Sequence, residues 1–260
     1  MANFFKKRKL NIIYGLAAVI LMWLVWIIAY YAVGNEYIVP SFSDTVKSFF
    51  ACLGQKTFWV AFGYTFLRSV IAFAISFFLA ALCASLAAAS KRFSAFLQPV
   101  MVLLRTLPTM AVILIILIWT SPKWAPVIVT VLVLFPMIYS QFCAAFGGID
   151  DGLKNMARVY NLSKKQRIGK IYLPLVMPSV LSEVGANVSL CLKLVISAEV
   201  LANTARSLGG IMQTARLYVE MPRLAALTFI AVLTGLILDI AFSQLKRITY
   251  AWSKTEGNYD

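Results

Sequence analysis

The stretch DDGLKNMARVYNLSKKQRIGKIYLPLVMP, residues 150–178, is basic and helix-prone, and it lies between two long apolar runs. A mostly apolar chain has little use for such a patterned polar loop unless a partner docks there. Residues 153–160 predict a short helix, which Asn161 can end because asparagine tolerates the left-handed backbone. Ser163 predicts the N-cap of a second helix. We expect that helix to end at Leu173-Pro174, because the residue before proline avoids the helical region.

The composition around this loop is that of a membrane protein. Of the 260 residues, 61% are hydrophobic, and the mean hydropathy is +0.83. The apolar residues form runs of about twenty, long enough for a helix to cross a hydrocarbon core of about 30 Å. Backbone polar groups must be satisfied inside the bilayer, so these runs predict helices. We therefore expect an all-α, polytopic integral membrane protein with six transmembrane helices, at residues 11–33, 58–89, 95–119, 125–146, 174–198 and 224–244.

Basic residues are distributed unevenly between the two sides of such a protein. The chain has 24 Lys and Arg against 10 Asp and Glu, a net charge of +14, which in a soluble protein would favour nucleic-acid binding. Six spans place fifteen basic residues on the side of both termini and the loop, and six on the other side. The positive-inside rule explains this asymmetry, so we expect both termini in the cytoplasm and no nucleic-acid partner. The predicted domains are a cytoplasmic basic tail (1–10), a transmembrane domain (11–249) that contains the loop 150–173, and a cytoplasmic C-terminal tail (250–260).

Catalytic or metal chemistry has little support in the sequence. Histidine, the commonest metal ligand and general base, is absent. The four cysteines are far apart and resemble small packing residues rather than ligands. The phosphate-binding pattern G-x-x-x-x-G-K-[ST] does not occur either, so the chain cannot hydrolyse ATP unaided. We predict no catalytic residue, no metal site and no bound cofactor.

The loop resembles the "EAA" coupling loop of the membrane subunits of ATP-binding-cassette (ABC) importers. Ala157 matches the second alanine of that motif, Asn161 stands at its glycine, and Leu173-Pro174 matches its end. The chain departs from the motif at Asn155, where the family has glutamate, and at Met156, where it has alanine. The resemblance implies that an ATPase docks on the following residues: Asn155, Ala157, Arg158, Asn161, Ser163, Gln166, Leu173 and Pro174.

Further short motifs extend the resemblance over nearly the whole chain, and they are most similar to permeases for nitrate, sulfonates and taurine or for pyrimidine precursors of thiamine. Each motif is weak alone, but six occur in order and at near-family spacing. Residues 119–121 depart from the family pattern. The six matching segments are residues 39–44, 104–108, 135–136, 198–199, 207–210 and 235–239.

This resemblance implies a type I ABC importer permease fold, a bacterial inner-membrane location and a set of partners. Two cytoplasmic ATPases, which use ATP and Mg, would dock on the loops, and an external substrate-binding protein would deliver a small solute. A second permease copy would complete the pathway, which membrane lipid would surround. Two alternatives stay open: an ion-driven secondary transporter, which would work without an ATPase, and a membrane-embedded enzyme, which the lack of histidine and the scattered acids disfavour.

The fifth predicted span carries polar and small residues at helical spacing. Ser182, Ser189, Lys193 and Ser197 share one stripe, with Glu183 and Asn187 about 100° to its side. One interpretation is that this stripe lines the translocation path and that Lys193 meets the solute. The other is close helix packing with Lys193 paired to an acidic neighbour. Near the external end, Glu199 is either a gate or a pairing partner.

Overall fold

The computed structural model describes residues 2–163 and 166–255; for residues 2–13, 16, 154, 158, 243 and 245–255 it describes the backbone alone. Within these ranges every regular element is a helix, as predicted. A π-helical segment, Arg167–Tyr172, leads directly into the eighth α-helix. The α-helices are α1 (Ala2–Val33), α2 (Phe42–Leu53), α3 (Lys56–Ala89), α4 (Lys91–Thr106), α5 (Thr109–Trp119), α6 (Ala125–Gly147), α7 (Asp151–Val159), α8 (Leu173–Leu201), α9 (Leu208–Leu217) and α10 (Met221–Thr255).

In the part of the chain that the structure describes, four continuous helical stretches are long and apolar enough to cross a membrane. They are α3, α6, the stretch Arg167–Leu201 and the part Met221–Phe242 of α10, and they confirm the second, fourth, fifth and sixth predicted spans. The first predicted span corresponds to an apolar stretch in α1, Ala17–Val33, that is shorter than these. The count of six spans therefore stays a prediction.

The third predicted span is broken at Leu107-Pro108. Leu107 has φ −62° and ψ 127°, the extended conformation that a following proline favours. The helices on either side, α4 and α5, are bent by 98°, and together they form a broken span or a re-entrant loop. Arg105, in the last turn of α4, donates from its guanidinium to the backbone carbonyl of Pro136 in α6 at 3.1 Å. The guanidinium thus has a protein partner beside the break.

The chain divides into two compact units. The first comprises Met1–Gln55 and Thr214–Phe229, and the second comprises Lys56–Gln213 and Ile230–Asp260. In the first unit, the indole of Trp26 stacks on Phe229 with ring centroids 5.3 Å apart and donates to the carbonyl of Pro40 at 3.0 Å. The amphipathic helix α2 begins at Phe42, whose ring meets that indole edge-on.

The core of the second unit forms where α3, α6 and α8 meet. One side of α3 carries only small residues at helical spacing, so that bulky side chains of α6 such as Leu134, Ile138 and Phe142 approach its backbone closely. Val180 and Val195 of α8 close the same core. The buried small residues of α3 are Ala61, Thr65, Ser69, Ala72, Ser76, Ala80 and Ala84.

Candidate functional site

Two ends of the second unit carry the polar chemistry. We call them the loop end, where residues 148–166 connect α6 to the π-helical segment, and the opposite end, where residues 202–207 connect α8 to α9. The exposed face of α8 runs between these two ends.

Helix α7 at the loop end is held by caps within its own sequence. The Asp150 carboxylate accepts from the backbone N–H of Gly152 at 2.9 Å and caps the start of the helix. After its end, Asn161 has φ 50°, and the Leu162 N–H donates to the Ala157 carbonyl at 3.3 Å. This six-to-one bond across a left-handed residue is a Schellman motif. The prediction of a left-handed Asn161 is therefore confirmed.

A reciprocal pair of bonds starts the next helical turn. The Ser163 hydroxyl accepts from the Gln166 N–H at 3.3 Å, and the Gln166 side-chain carbonyl accepts from the Ser163 N–H at 3.0 Å. This is a capping box, and it confirms the predicted N-cap at Ser163. The two residues between them, Lys164 and Lys165, lie outside the described part of the chain.

The predicted helix end at Leu173-Pro174 is wrong. Leu173 has helical φ −63° and ψ −50°, and the π-helical segment continues through it into α8, with Pro174 in the first turn. Proline is tolerated in a first turn, where its missing N–H removes no essential bond. Here the hydrogen-bonding pattern changes from π-helical to α-helical just before Pro174. The position where proline lacks an N–H therefore coincides with the junction of the two helix types. The loop therefore contains one separate helix, α7, and the π-helical segment that follows it continues into the fifth span without a break.

The predicted ATPase-docking residues point in different directions. Ala157 is fully buried inside the subunit, whereas Asn155 on the same helix is exposed. The side chain of Arg158 lies outside the described residues. Three apolar side chains that motif matching did not select cover the exposed side of α7 and its end: they are Met156, 44% exposed, Val159, 81%, and Tyr160, 72%. In the sequence, the signal that could have identified them is the helical spacing of apolar residues 156, 159 and 160 within an otherwise polar loop.

The residues predicted to line a path on α8 are likewise divided between two faces. Glu183, Lys193 and Ser197 are exposed, and Ser182 is half-buried with its hydroxyl donating to the Ser179 carbonyl at 2.6 Å. Glu183 also lines a cleft of about 650 Å³ at the loop end. The path residues that turn into the subunit are Asn187, Ser189 and Glu199.

Each of these inward residues has an identifiable neighbour, and two of them lie in the middle of α8. The side-chain amides of Asn187 and Gln141 of α6 exchange two hydrogen bonds, of 2.7 and 3.1 Å. Ser189 lies where α8 meets α10, since a Cβ at Gly235 would come within 3.0 Å of its hydroxyl. One helical turn away, a Cβ at Gly185 would lie 2.8 Å from the Asp239 carboxylate. A glycine on each helix, Gly185 on α8 and Gly235 on α10, thus permits a close crossing.

Lys193 stands apart from these packed residues. It is exposed eight residues before the end of the apolar stretch Arg167–Leu201, and its aliphatic stem lies near Gly235, where an added Cβ would be 3.9 Å from Cε. Among the described residues, none of the ion pairs includes Lys193. The pairing interpretation, in which an acidic neighbour neutralises Lys193, has no support in this part of the chain.

Glu199 is the centre of a buried polar cluster at the opposite end. Its side chain is fully buried and accepts from the guanidinium of Arg68 at 2.8 Å, from the hydroxyl of Thr65 at 2.8 Å and from the backbone N–H of Gly209 at 3.2 Å. The Thr65 hydroxyl in turn accepts from the Leu208 N–H at 2.9 Å. One carboxylate thereby joins α3, α8 and the first turn of α9. Of the two roles predicted for Glu199, the pairing partner is confirmed.

The turn beside this cluster leaves no room for side chains at its glycines. A Cβ at Gly209 would meet Glu199 Cβ and would lie 2.6 Å from the Val200 nitrogen. Asn203 and Arg206 have φ of 46° and 49°, the left-handed region. The Thr204 hydroxyl donates to the Pro122 carbonyl at 2.8 Å, so the turn 202–207 is also tied to the turn that precedes α6. The sequence motif at 207–210 is thus explained by close backbone approach.

Comparison with known proteins identifies the family. The profile of the family described as "Binding-protein-dependent transport system inner membrane component" matches residues 76–248, more than half of the chain. The chain therefore belongs to this family, as the transport permease of an ABC importer in the inner membrane. It is a transport subunit rather than an enzyme.

Two relatives are similar to this chain along most of its length, and the name of each states a transported substrate. A Bacillus subtilis permease protein named for aliphatic sulfonate transport is 24% identical over 186 residues, covering 71% of this chain and 67% of the relative. The formylaminopyrimidine transport permease protein of Halalkalibacterium halodurans is 25% identical over 248 residues, covering 91% of this chain and 94% of the relative.

Solved ABC transporters share the fold. The chain matches a bacterial alginate ABC transporter, crystallised with its periplasmic protein bound to an alginate pentasaccharide, with a TM-score of 0.66 at 16% identity, covering 91% of this chain and 95% of that one. It matches an amino acid ABC transporter with a TM-score of 0.61 at 16% identity, covering 74% and 92%. These likenesses confirm the predicted fold class.

Proposed function

We propose that two copies of this chain form the pathway of an ABC importer for a small anionic solute, a sulfonate being the first candidate. An external binding protein delivers the solute, and two cytoplasmic ATPases, which bind the ATP and Mg, drive its release. This chain itself holds neither. The observation that carries the proposal is Lys193, an exposed lysine that makes no ion pair within the described residues and that lies in a stretch long and apolar enough to span the membrane.

The exposed face of α8 supports the second copy. A charged side chain near the centre of a bilayer costs about 2.5–3.5 kcal/mol on insertion scales, so such groups face protein or water. Lys193 is exposed in the single chain and shares its face with Ala186 and Ser197. A second copy that presents the same face would shield the Lys193 side chains of both copies from lipid. The two faces would then enclose a polar path between the copies. Because two such lysines would then face one path, an anionic solute fits the site better than a cation.

Helix α7 supplies the ATPase dock. Its exposed surface is apolar at Met156, Val159 and Tyr160, which is unusual for a loop outside the membrane. Ala157, on the opposite side of the helix, packs inward and holds α7 on its own subunit. The continuous helix from the π-helical segment into α8 provides a rigid connection from this dock to the path. The predicted docking set is thereby divided into residues that support α7 and residues that face the ATPase.

The orientation follows from charge. With α7 in the cytoplasm, both termini lie on the cytoplasmic side and the turn 202–207 lies outside. The many large apolar side chains exposed on α3 and α10, such as Phe78 and Ile237, then face lipid. A cysteine at position 122 in a cysteine-free chain should react with an impermeant thiol reagent in intact cells, and one at position 3 should not.

Uptake into proteoliposomes tests the function. The chain is reconstituted with its ATPase and binding-protein partners, and uptake of labelled taurine, an alkanesulfonate and nitrate is compared with that of formylaminopyrimidine. We expect ATP-dependent uptake of a sulfonate. Uptake without the ATPase would instead establish the ion-driven secondary transporter.

Formylaminopyrimidine is the second candidate solute, because the relative named for it covers 91% of this chain. It carries no sulfonate for Lys193 to meet. Uptake of the pyrimidine alone would keep the importer and overturn the role of Lys193 as a counter-charge.

A further inference from the structure

We infer that Glu199 is a positioning residue for solute transfer from the binding protein, because it joins α3, α8 and the first turn of α9 into one body at the external end of the path. The inference rests on the proposed function, which supplies the direction of transport. Glu199 itself touches no solute, since its side chain is fully buried.

The carboxylate accepts hydrogen bonds from two other helices, α3 and α9. Arg68 and Thr65 donate from two successive turns of α3, and Gly209 donates from the first turn of α9. The backbone N–H groups at a helix start carry partial positive charge and have no partner within the helix, so a carboxylate there is doubly favourable. A neutral side chain at position 199 would satisfy these donors less well and would leave Arg68 buried without a counter-charge.

Thr65 extends this cluster from the carboxylate to the α9 backbone. Its hydroxyl donates to Glu199 and accepts from the Leu208 N–H, so it has both of its roles filled. Removing this hydroxyl leaves the Arg68–Glu199 ion pair intact and breaks one of the ties to α9. The link between α3 and α9 can therefore be weakened without leaving a buried charge unpaired.

The location connects this cluster to transport. Glu199 lies two residues beyond Ser197, the last polar residue on the exposed face of α8. The turn that follows is held by the Thr204–Pro122 bond and by the Ser207 hydroxyl, which donates to the Thr204 carbonyl at 2.7 Å. All of these bonds lie at the end that faces the binding protein in the proposed orientation. Movement of the external end of α8 would therefore carry the turn and the start of α9 with it.

The test compares two conservative changes on the same face of α3 in the reconstituted complex. Thr65→Val removes the bridging hydroxyl with little change in volume. Ser76→Ala is the matched control, because the Ser76 hydroxyl is equally buried but donates only to the Ala72 carbonyl of its own helix, at 2.8 Å. Thr65→Ser restores the hydroxyl. ATP hydrolysis is measured without binding protein and against increasing concentrations of binding protein loaded with the solute identified by the uptake assay.

Thr65→Val should raise the half-saturating concentration of loaded binding protein about tenfold, since a lost bond that leaves buried partners unsatisfied weakens a bound geometry by about that factor. Basal hydrolysis should stay within about twofold of wild type, because the dock at the loop end is untouched. Ser76→Ala and Thr65→Ser should behave as wild type. Hydrogen–deuterium exchange of residues 203–212 should rise in Thr65→Val alone.

Three results would contradict the inference. If exchange rises in Thr65→Val but the half-saturating concentration does not, the cluster only stabilises the fold. If basal and stimulated hydrolysis fall together, the effect is again structural. The same holds if Ser76→Ala raises the half-saturating concentration of loaded binding protein as much as Thr65→Val does. A wild-type complex that loaded binding protein does not stimulate refutes the proposed function instead, and the wild-type control reveals this before any variant is measured.

Discussion

The loop end and the opposite end of the second unit are both rich in polar contacts, but the contacts differ in range. At the loop end the hydrogen bonds described above join residues at most five apart, as in the Ser163–Gln166 capping box and the Schellman motif at Asn161. At the opposite end Glu199 joins residues 131 and 134 positions away in the chain. The first arrangement makes a self-contained knob that presents a surface, whereas the second ties separate helices together. We interpret the first as a dock and the second as a rigid frame.

The largest expected effect is at the frame. Gly209→Ala should prevent stable folding, because the new methyl would overlap Glu199 and lie 2.7 Å from the Ile196 carbonyl, neither of which can move without shifting α8. Overpacking of this kind costs about 1–3 kcal/mol or more. The measurement is the yield and thermal stability of the detergent-purified protein.

The matched control is Gly63→Ala on α3, where nothing lies within 4 Å of the new methyl. We expect that variant to purify and melt like the wild type. Equal stability of the two alanine variants would contradict the close approach of α9 to α8.

At the dock, Val159→Asp should prevent the ATPase from co-purifying while leaving the membrane protein folded. Val159 is 81% exposed, so the carboxylate would not disturb its own subunit but would be desolvated against an apolar partner. We expect at least a tenfold drop in bound ATPase, measured by affinity purification of the tagged permease. Ala157→Asp should behave differently, because position 157 is buried and the carboxylate would destabilise α7 itself.

Asn155→Glu is the control for Val159→Asp. It adds one negative charge to the exposed surface of the same helix, one turn away, and it restores the glutamate of the family motif. The amount of ATPase that co-purifies with this variant should match or exceed the amount that co-purifies with the wild type. If both variants lose the ATPase equally, negative charge on α7 rather than contact at Val159 is responsible.

The same difference in range explains what the sequence could and could not predict. The caps at Asn161 and Ser163 follow from local backbone preferences, and four spans follow from apolar runs, so these predictions are confirmed. The partner of Glu199 could not be predicted, because no local pattern relates it to Arg68. The helix end at Leu173-Pro174 was wrong because a rule for isolated X-Pro pairs does not anticipate a π-helical segment before the proline.

The polar stripe on α8 shows a third kind of outcome. Helical spacing placed Ser189 and Lys193 on one face, but close crossing by α10 at Gly235 buries the serine and leaves the lysine exposed. Periodicity gives the direction of a side chain from its helix axis. It does not give the neighbouring helix that covers that side.

A smaller effect is expected between the two ends. Lys193→Ala should lower uptake of the sulfonate about five- to tenfold, as expected for the loss of one charge-assisted contact of modest strength. Basal ATP hydrolysis and co-purification of the ATPase should be unchanged, because Lys193 contacts neither end. Lys193→Arg should retain most of the uptake, and Ser197→Ala on the same face should have little effect. Wild-type uptake by Lys193→Ala would exclude the pathway role, and failure of that variant to insert would make the lysine structural.

The smallest effect is expected at Asn161, where the comparison of the two ends can be sharpened without removing any side-chain contact. Asn161 is exposed and has φ 50°, so its contribution is the backbone conformation that ends α7. Asn161→Gly should leave the amount of bound ATPase within about twofold of wild type, because glycine adopts this conformation without cost. Asn161→Val should cost about 1–2 kcal/mol locally, since a β-branched residue disfavours the left-handed region, and bound ATPase should fall accordingly. If the glycine and valine variants reduce ATPase binding equally, the asparagine side chain itself contacts the partner. The ATPase would then recognise the side chains of the loop end rather than the shape of its backbone.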